Sequence, residues 1–211
     1  MVHELEETVE SFLFGNIRGI MPLNNNKVKL NFLSDCASIN NNLIVALTES
    51  HLSCNIKDCE VKFGDHDIHR CDRESNNHGG VIIFSKKNSK TTKILEWRNE
   101  QCEVVGVFIK SVKTLFFCVY RPPNSGSYDT FSECIDMIQN SINEYGGQCD
   151  QYIVCGDFNF PYINWPSGFL KNRVNTKDKD RKQAALLLDF MDINSFSNVI
   201  SSPTRNDNII E

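Results

Sequence analysis

The sequence predicts an α/β fold, and three observations carry that prediction. Short apolar runs of strand length alternate with segments whose apolar residues recur at helical spacing. The runs stop abruptly at glycine, asparagine, threonine or proline. Several of these stops deliver a polar side chain, and α/β sheets usually place their chemistry at the carboxyl ends of strands.

The stretch around which the rest is organised is Tyr152-Ile153-Val154-Cys155-Gly156-Asp157-Phe158-Asn159. It reads as a central strand buried on both faces, with Gly156 allowing a sharp turn at its end. Period-two alternation then puts Asp157 and Asn159 on one side and Phe158 on the other. Taken alone, the two polar residues could equally start an Asx turn.

In chain order, residues 1–10 form an acidic leader and residues 11–211 the folded domain. Ser11-Phe12-Leu13-Phe14-Gly15-Asn16-Ile17 reads as a first strand. Asn24-Asn25-Asn26 can cap a helix with apolar positions at Val28, Phe32, Leu33 and Cys36. Leu43-Ile44-Val45-Ala46-Leu47 is a second buried strand that delivers Thr48 and Glu49. A strand, a helix and a strand suggest a parallel crossover, which brings Asn16 and Glu49 to one sheet edge.

Residues 50–80 read as a polar loop rich in His, Asp, Asn and Cys. Spacings among Cys54, Cys59, His66, His69, Cys71 and His78 match no usual structural zinc pattern. Val81 to Phe84 is a strand, and Lys86, Lys87, Lys90 and Lys93 follow in a turn-rich segment. That segment reads as a solvated loop, with a phosphate-contacting patch as the alternative.

Cys102 to Ile109 and Thr114 to Tyr120 form a hairpin that stops at Arg121-Pro122-Pro123, because proline cannot donate to a ladder. Phe131, Cys134, Ile135, Ile138 and Ile142 keep helical spacing up to Gly146-Gly147. Phe160 to Pro166 is an aromatic loop suited to packing, and Lys171 to Lys182 is a second basic segment. A helix with Ala184, Leu187, Leu188 and Met191 follows.

Composition bounds the function. A length of 211 residues with 40% hydrophobic residues suffices for one domain with a full core. A net charge of −5 offers no global basic field, so any DNA contact depends on local patches. Nine scattered cysteines without a CxxC fit reduced thiols, and hence an intracellular protein. No apolar run approaches a membrane span, so no membrane partner is expected.

Asn16, Glu49, Tyr120, Asp157 and Asn159 thus stand together at strand ends. A carboxylate at Glu49 suits a hard cation such as Mg²⁺ that borrows oxygens from a substrate phosphate. Asp157 could orient or deprotonate a water, and Asn159 and Tyr120 could donate to a phosphoryl oxygen.

The order of Asn16-Ile17-Arg18-Gly19, Leu47-Thr48-Glu49-Ser50, Arg70-Cys71-Asp72-Arg73 with Gly79-Gly80-Val81, Tyr120-Arg121-Pro122-Pro123, Gly156-Asp157-Phe158-Asn159-Phe160-Pro161 and Pro203-Thr204-Arg205 resembles the endonuclease/exonuclease/phosphatase superfamily. The nearest likeness is to the endonuclease domain of non-LTR retrotransposons. This resemblance implies a deoxyribonuclease-I-like, four-layer α/β sandwich: two facing mixed β-sheets flanked by helices. It implies Glu49 as the ligand of Mg²⁺ (or Mn²⁺), supported by Asn16, and Asp157 as the residue that positions water. It further implies that Asn159 and Tyr120 bind the scissile phosphate, with Thr204 and Arg121 as lesser substrate contacts.

The family's later Ser-Asp-His motif has no counterpart in the sequence, so the resemblance implies a domain lacking its last strands, with weak or lost activity. The partner implied is DNA, with a reverse transcriptase domain in a longer polyprotein, and the location nuclear if chromosomal DNA is the target, otherwise cytoplasmic. Two other readings stay open: an inactive remnant, and a phosphoesterase of the same fold acting on a different phosphoester.

Overall fold

The structure is a computed structural model that describes residues 11–21, 28–39, 41–74, 78–123, 127–165, 167–170 and 178–199. The expected leader, the Asn24–Asn26 cap, most of the second basic segment and Thr204 lie outside the described residues.

Two four-stranded mixed sheets form the centre. The first contains β1 (Ser11–Asn16), β2 (Asn42–Thr48), β3 (His66–Cys71) and β4 (Val81–Lys86), in the order β1-β2-β4-β3. The second contains β5 (Thr91–Arg98), β6 (Glu103–Ile109), β7 (Thr114–Tyr120) and β8 (Gln151–Asp157), in sequential order. β9 (Ile163–Asn164) and β10 (Phe169–Leu170) make a short separate ribbon. The helices are α1 (Val28–Ile39), the single turn α2 (Asp58–Val61), α3 (Tyr128–Tyr145) and α4 (Asp178–Ile193).

Three apolar clusters account for the layering. Ile44, Ala46, Val105, Val107, Phe116 and Cys118 fill the space between the sheets. Leu30, Leu33 and Ala37 of α1 cover the outer face of the first sheet through Val45, Leu47, Ile82 and Phe84. Phe131, Cys134, Ile135 and Ile138 of α3, with Ala184, Leu187 and Phe190 of α4, cover the second sheet through Leu115, Phe117 and Val119. Each inner strand therefore buries both faces, which explains why β2, β4, β6 and β7 read as unbroken apolar runs. The expected four-layer sandwich is the observed one.

The crossover from β1 through α1 to β2 is parallel, and Asn16 stands in register with Thr48. α3 starts at the Ser127 cap, whose side chain accepts from the Thr130 N–H, and buries the five residues its spacing predicted. All nine cysteines are free thiols.

Four expectations need correcting. β3 and β5 fall within stretches read as polar loops. Both are edge strands with outward polar positions, as in His66-Asp67-Ile68-His69-Arg70-Cys71, so the apolar signal is diluted. In α1 the buried stripe is Leu30, Leu33 and Ala37, whereas Val28 and Phe32 are 60% and 64% exposed. β8 is the outer strand of its sheet rather than a central one, and its residues 152–155 are only partly buried.

The fourth concerns Gly156, which lies inside β8 rather than at a turn. A Cβ there would sit 2.2 Å from the carbonyl oxygen of Val119 on β7, so the position admits only glycine if the two strands are to keep their distance.

Candidate active site

Asn16 closes β1, Glu49 follows β2, Tyr120 closes β7 and Asp157 closes β8. The first pair belongs to one sheet and the second pair to the other, so their meeting depends on how the sheets face each other. They do meet. Asn16 Nδ2 donates to Glu49 Oε1 at 2.8 Å and to Asp157 Oδ2 at 3.0 Å. Tyr120 Oη donates to the same Glu49 Oε1 at 3.3 Å. Asn16 Oδ1 accepts from the Arg18 N–H at 3.1 Å, which fixes the orientation of the amide.

Chain geometry around these residues is tightly specified. Arg18, Glu49, His51 and Asn159 all carry positive φ, between 46° and 54°. Non-glycine residues held in the left-handed region gather at functional sites, where surrounding bonds hold the strain in place. Here the Gly19 N–H donates to the Glu49 carbonyl at 2.7 Å, and the His51 N–H to the Gly79 carbonyl at 2.9 Å. Lys29 of α1 donates to the carbonyls of Ile17, Arg18 and Gly19, which pins the loop after β1.

Burial differs across the cluster in a way that matters chemically. Asp157 is 2% exposed and Tyr120 6%, whereas the Glu49 side chain is 21% exposed and can be reached from solvent. Burial first, then the Glu49 and Asp157 charges, push the Tyr120 phenol well above its ordinary value, so it stays a protonated donor.

One participant was not anticipated. His51 Nε2 lies 3.7 Å from Glu49 Oε2, and its ring packs edge-on against His78 at a centroid distance of 5.1 Å. Burial lowers the His51 pKa, Glu49 opposes that shift, and His78 and Lys29 reinforce it. The available signal was its spacing of two from Glu49.

Asn159 and Arg121 stand apart from the cluster's hydrogen bonds. Asn159 itself takes a left-handed backbone, which departs from the simple alternation with Asp157, and its Nδ2 donates to the Arg121 carbonyl at 2.8 Å. Arg121, expected to touch substrate, is 1% exposed. Its guanidinium donates to Gln183 Oε1 and to the carbonyls of Phe158 and Asn159, and it stacks 4.1 Å from the Phe160 ring. This arginine ties β7 and the loop after β8 to α4 and does not face solvent.

The oxygen donors fit a hard cation. Two carboxylates suit Mg²⁺ better than a thiophilic metal, while the Asn16 amide turns its N–H groups, not its oxygen, towards them. Among the described residues no group of three or more His, Cys, Asp or Glu side chains is placed to hold a metal. A cation at Glu49 would therefore draw most of its ligands from water and substrate, as Mg²⁺ habitually does.

Residues 114–209 match the family described as endonuclease-reverse transcriptase. No curated protein sequence matches the chain. Among solved structures, the chain is similar to the endonuclease domain of TRAS1, a telomere-specific non-LTR retrotransposon. That match has 13% identity and a TM-score of 0.55, covering 86% of this chain and 69% of the other. It is similar to the AP endonuclease LMAP from Leishmania major, at 12% identity and a TM-score of 0.52, covering 86% and 65%. It is also similar to the 3′-5′ exonuclease NExo from Neisseria meningitidis, at 14% identity and a TM-score of 0.51, covering 85% and 70%. The chain thus spans roughly two thirds of the length of these structures. Residues 114–209 thus match an endonuclease-reverse transcriptase family, and the fold is the one shared by these retrotransposon and AP endonucleases.

Proposed function

We propose that this chain hydrolyses phosphodiester bonds with the help of Mg²⁺, and that its substrate is DNA, nicked in the service of a retrotransposon. The observation that supports this most is the Asn16 amide, which joins Glu49 of one sheet to Asp157 of the other. An amide between two carboxylates donates to both and so holds them at the same spot. Glu49, the more exposed of the two, would hold the cation, which when bound neutralises charge on the phosphoryl oxygens.

Asp157 would orient the attacking water and accept its proton. Tyr120 remains a donor throughout the physiological range and offers its proton to a phosphoryl oxygen as charge builds there. Asn159 spends one N–H on the Arg121 carbonyl, and its second would serve the phosphate. Thr204 is retained as a further phosphate contact on the strength of the motif alone.

Supercoiled plasmid supplies the test. With Mg²⁺ the chain should convert it to the nicked form, and Glu49→Ala and Asp157→Ala should each stop the conversion. Cleavage of a small phosphodiester without plasmid nicking would move the substrate away from DNA. A chain inert towards both would refute the proposal.

A further inference from the structure

Behind Tyr120 lies a buried ion pair that the cleavage chemistry does not use. Glu103 opens β6 directly opposite Tyr120 in the ladder and is fully buried. Arg73, two residues past β3 in the other sheet, donates from Nε to Glu103 Oε1, and its side chain is 11% exposed. The same guanidinium carbon stands 5.6 Å from the centroid of the Tyr120 ring. The pair therefore bridges the two sheets at the end where the cluster sits, with the tyrosine ring against it.

The surrounding backbone is shaped to admit this pair. A Cβ on Gly79 would fall 2.8 Å from Arg73 Nε, so a side chain there would displace the guanidinium. Burial pushes the Glu103 pKa up, and Arg73 and the Gly80 backbone oppose that rise. An ion pair taken out of water gains little over apolar residues of the same size, whereas it fixes the relative placement of its two partners closely.

From this arrangement we infer that Arg73 and Glu103 are positioning residues for Tyr120: they hold its ring so that the hydroxyl points at Glu49 and the scissile phosphate. The inference rests on the phosphodiesterase reading above for its kinetic consequence, though not for its structural one. Arg73 acts through the tyrosine and does not touch the reacting atoms.

The test uses the charge-neutral pair Arg73→Met with Glu103→Gln, which avoids stranding one buried charge, alongside Arg73→Lys. Each is made in the natural chain and in a Tyr120→Phe chain. In the natural chain the pair should lower kcat for Mg²⁺-dependent plasmid nicking by on the order of 10-fold to 100-fold at unchanged KM. In the Tyr120→Phe chain it should lower it no further. Arg73→Lys should restore little, because a point charge does not replace a planar fork.

A second readout needs no activity. With ¹³C-labelled tyrosine, the Tyr120 ring cross-peak, identified by its loss in Tyr120→Phe, should shift and broaden in the pair variant. Equal losses of kcat in both chains, or an unmoved ring cross-peak, would overturn the inference. If the natural chain cleaves no phosphodiester, the functional reading falls, and the cross-peak alone decides the positioning role.

Discussion

Asn16 and Asp157, 141 positions apart in sequence and on different sheets, meet at 3.0 Å through a single amide N–H. The same nitrogen reaches Glu49, so the neutral residue is the hub of the cluster.

Removing that hub should therefore damage more than one contact. Asn16→Ala should lower Mg²⁺-dependent nicking by about a hundredfold or more. Asn16→Asp, which sets a third carboxylate beside two others, should do no better despite its near-identical shape. Activity retained in Asn16→Asp would show that the amide's N–H is dispensable.

Gly156 and Gly147 make a matched pair for stability. Alanine at 156 drives a methyl to within 2.2 Å of the Val119 carbonyl, while nothing lies within 4 Å of a Cβ at 147. Gly156→Ala should cost about 1 to 3 kcal/mol or more in urea unfolding. Gly147→Ala should leave the midpoint essentially where it was.

Arg121 separates a structural from a substrate-binding role. Arg121→Met strands the Gln183 oxygen and two carbonyls, and should cost at least about 1 to 3 kcal/mol for each group left unsatisfied. If the variant folds, the salt dependence of its DNA binding should match that of the natural chain. A slope reduced by about one unit would mean that the guanidinium contacts phosphate after all.

Acid should destabilise the fold in a defined window. Burial lowers the pKa of both His51 and His69 below the ordinary 6.5, with Glu49 and Asp67 respectively in opposition. The unfolded chain then binds more protons than the folded one between the lowered values and 6.5. The stability these residues contribute is full above that range and is lost as pH falls through it, by at most about 1.4 kcal/mol per pH unit for each histidine. Urea midpoints measured from pH 7 to pH 5 should fall, and His69→Gln should flatten part of the slope.

What the sequence made legible follows from which faces each strand buries. β2, β4, β6 and β7 stand inside their sheets with apolar residues on both sides, and all four are plain in the sequence. β3 and β5 close the sheets' outer edges and present polar residues outward, so they read as loops. The cluster was legible because Asn16, Glu49, Tyr120 and Asp157 each follow a readable strand. The inward direction of Arg121 was not legible, because a motif match says nothing of which way a side chain leaves the end of a strand. His51 carried no local mark beyond its spacing from Glu49, and its proximity depends on two left-handed steps, at Glu49 and at His51 itself.

β7 and β8 run in parallel register without a slip, from Thr114 beside Gln151 to Tyr120 beside Asp157. A chain built this way counts residues. Loss of one codon within 152–156 would leave β8 a plausible apolar strand yet turn Asp157 towards the opposite layer, since strand side chains alternate with a period of two. Among naturally arising length variants, in-frame deletions in connections that carry none of Glu49, His51 and Asn159 should be survivable, whereas a single one inside β8 should silence the protein.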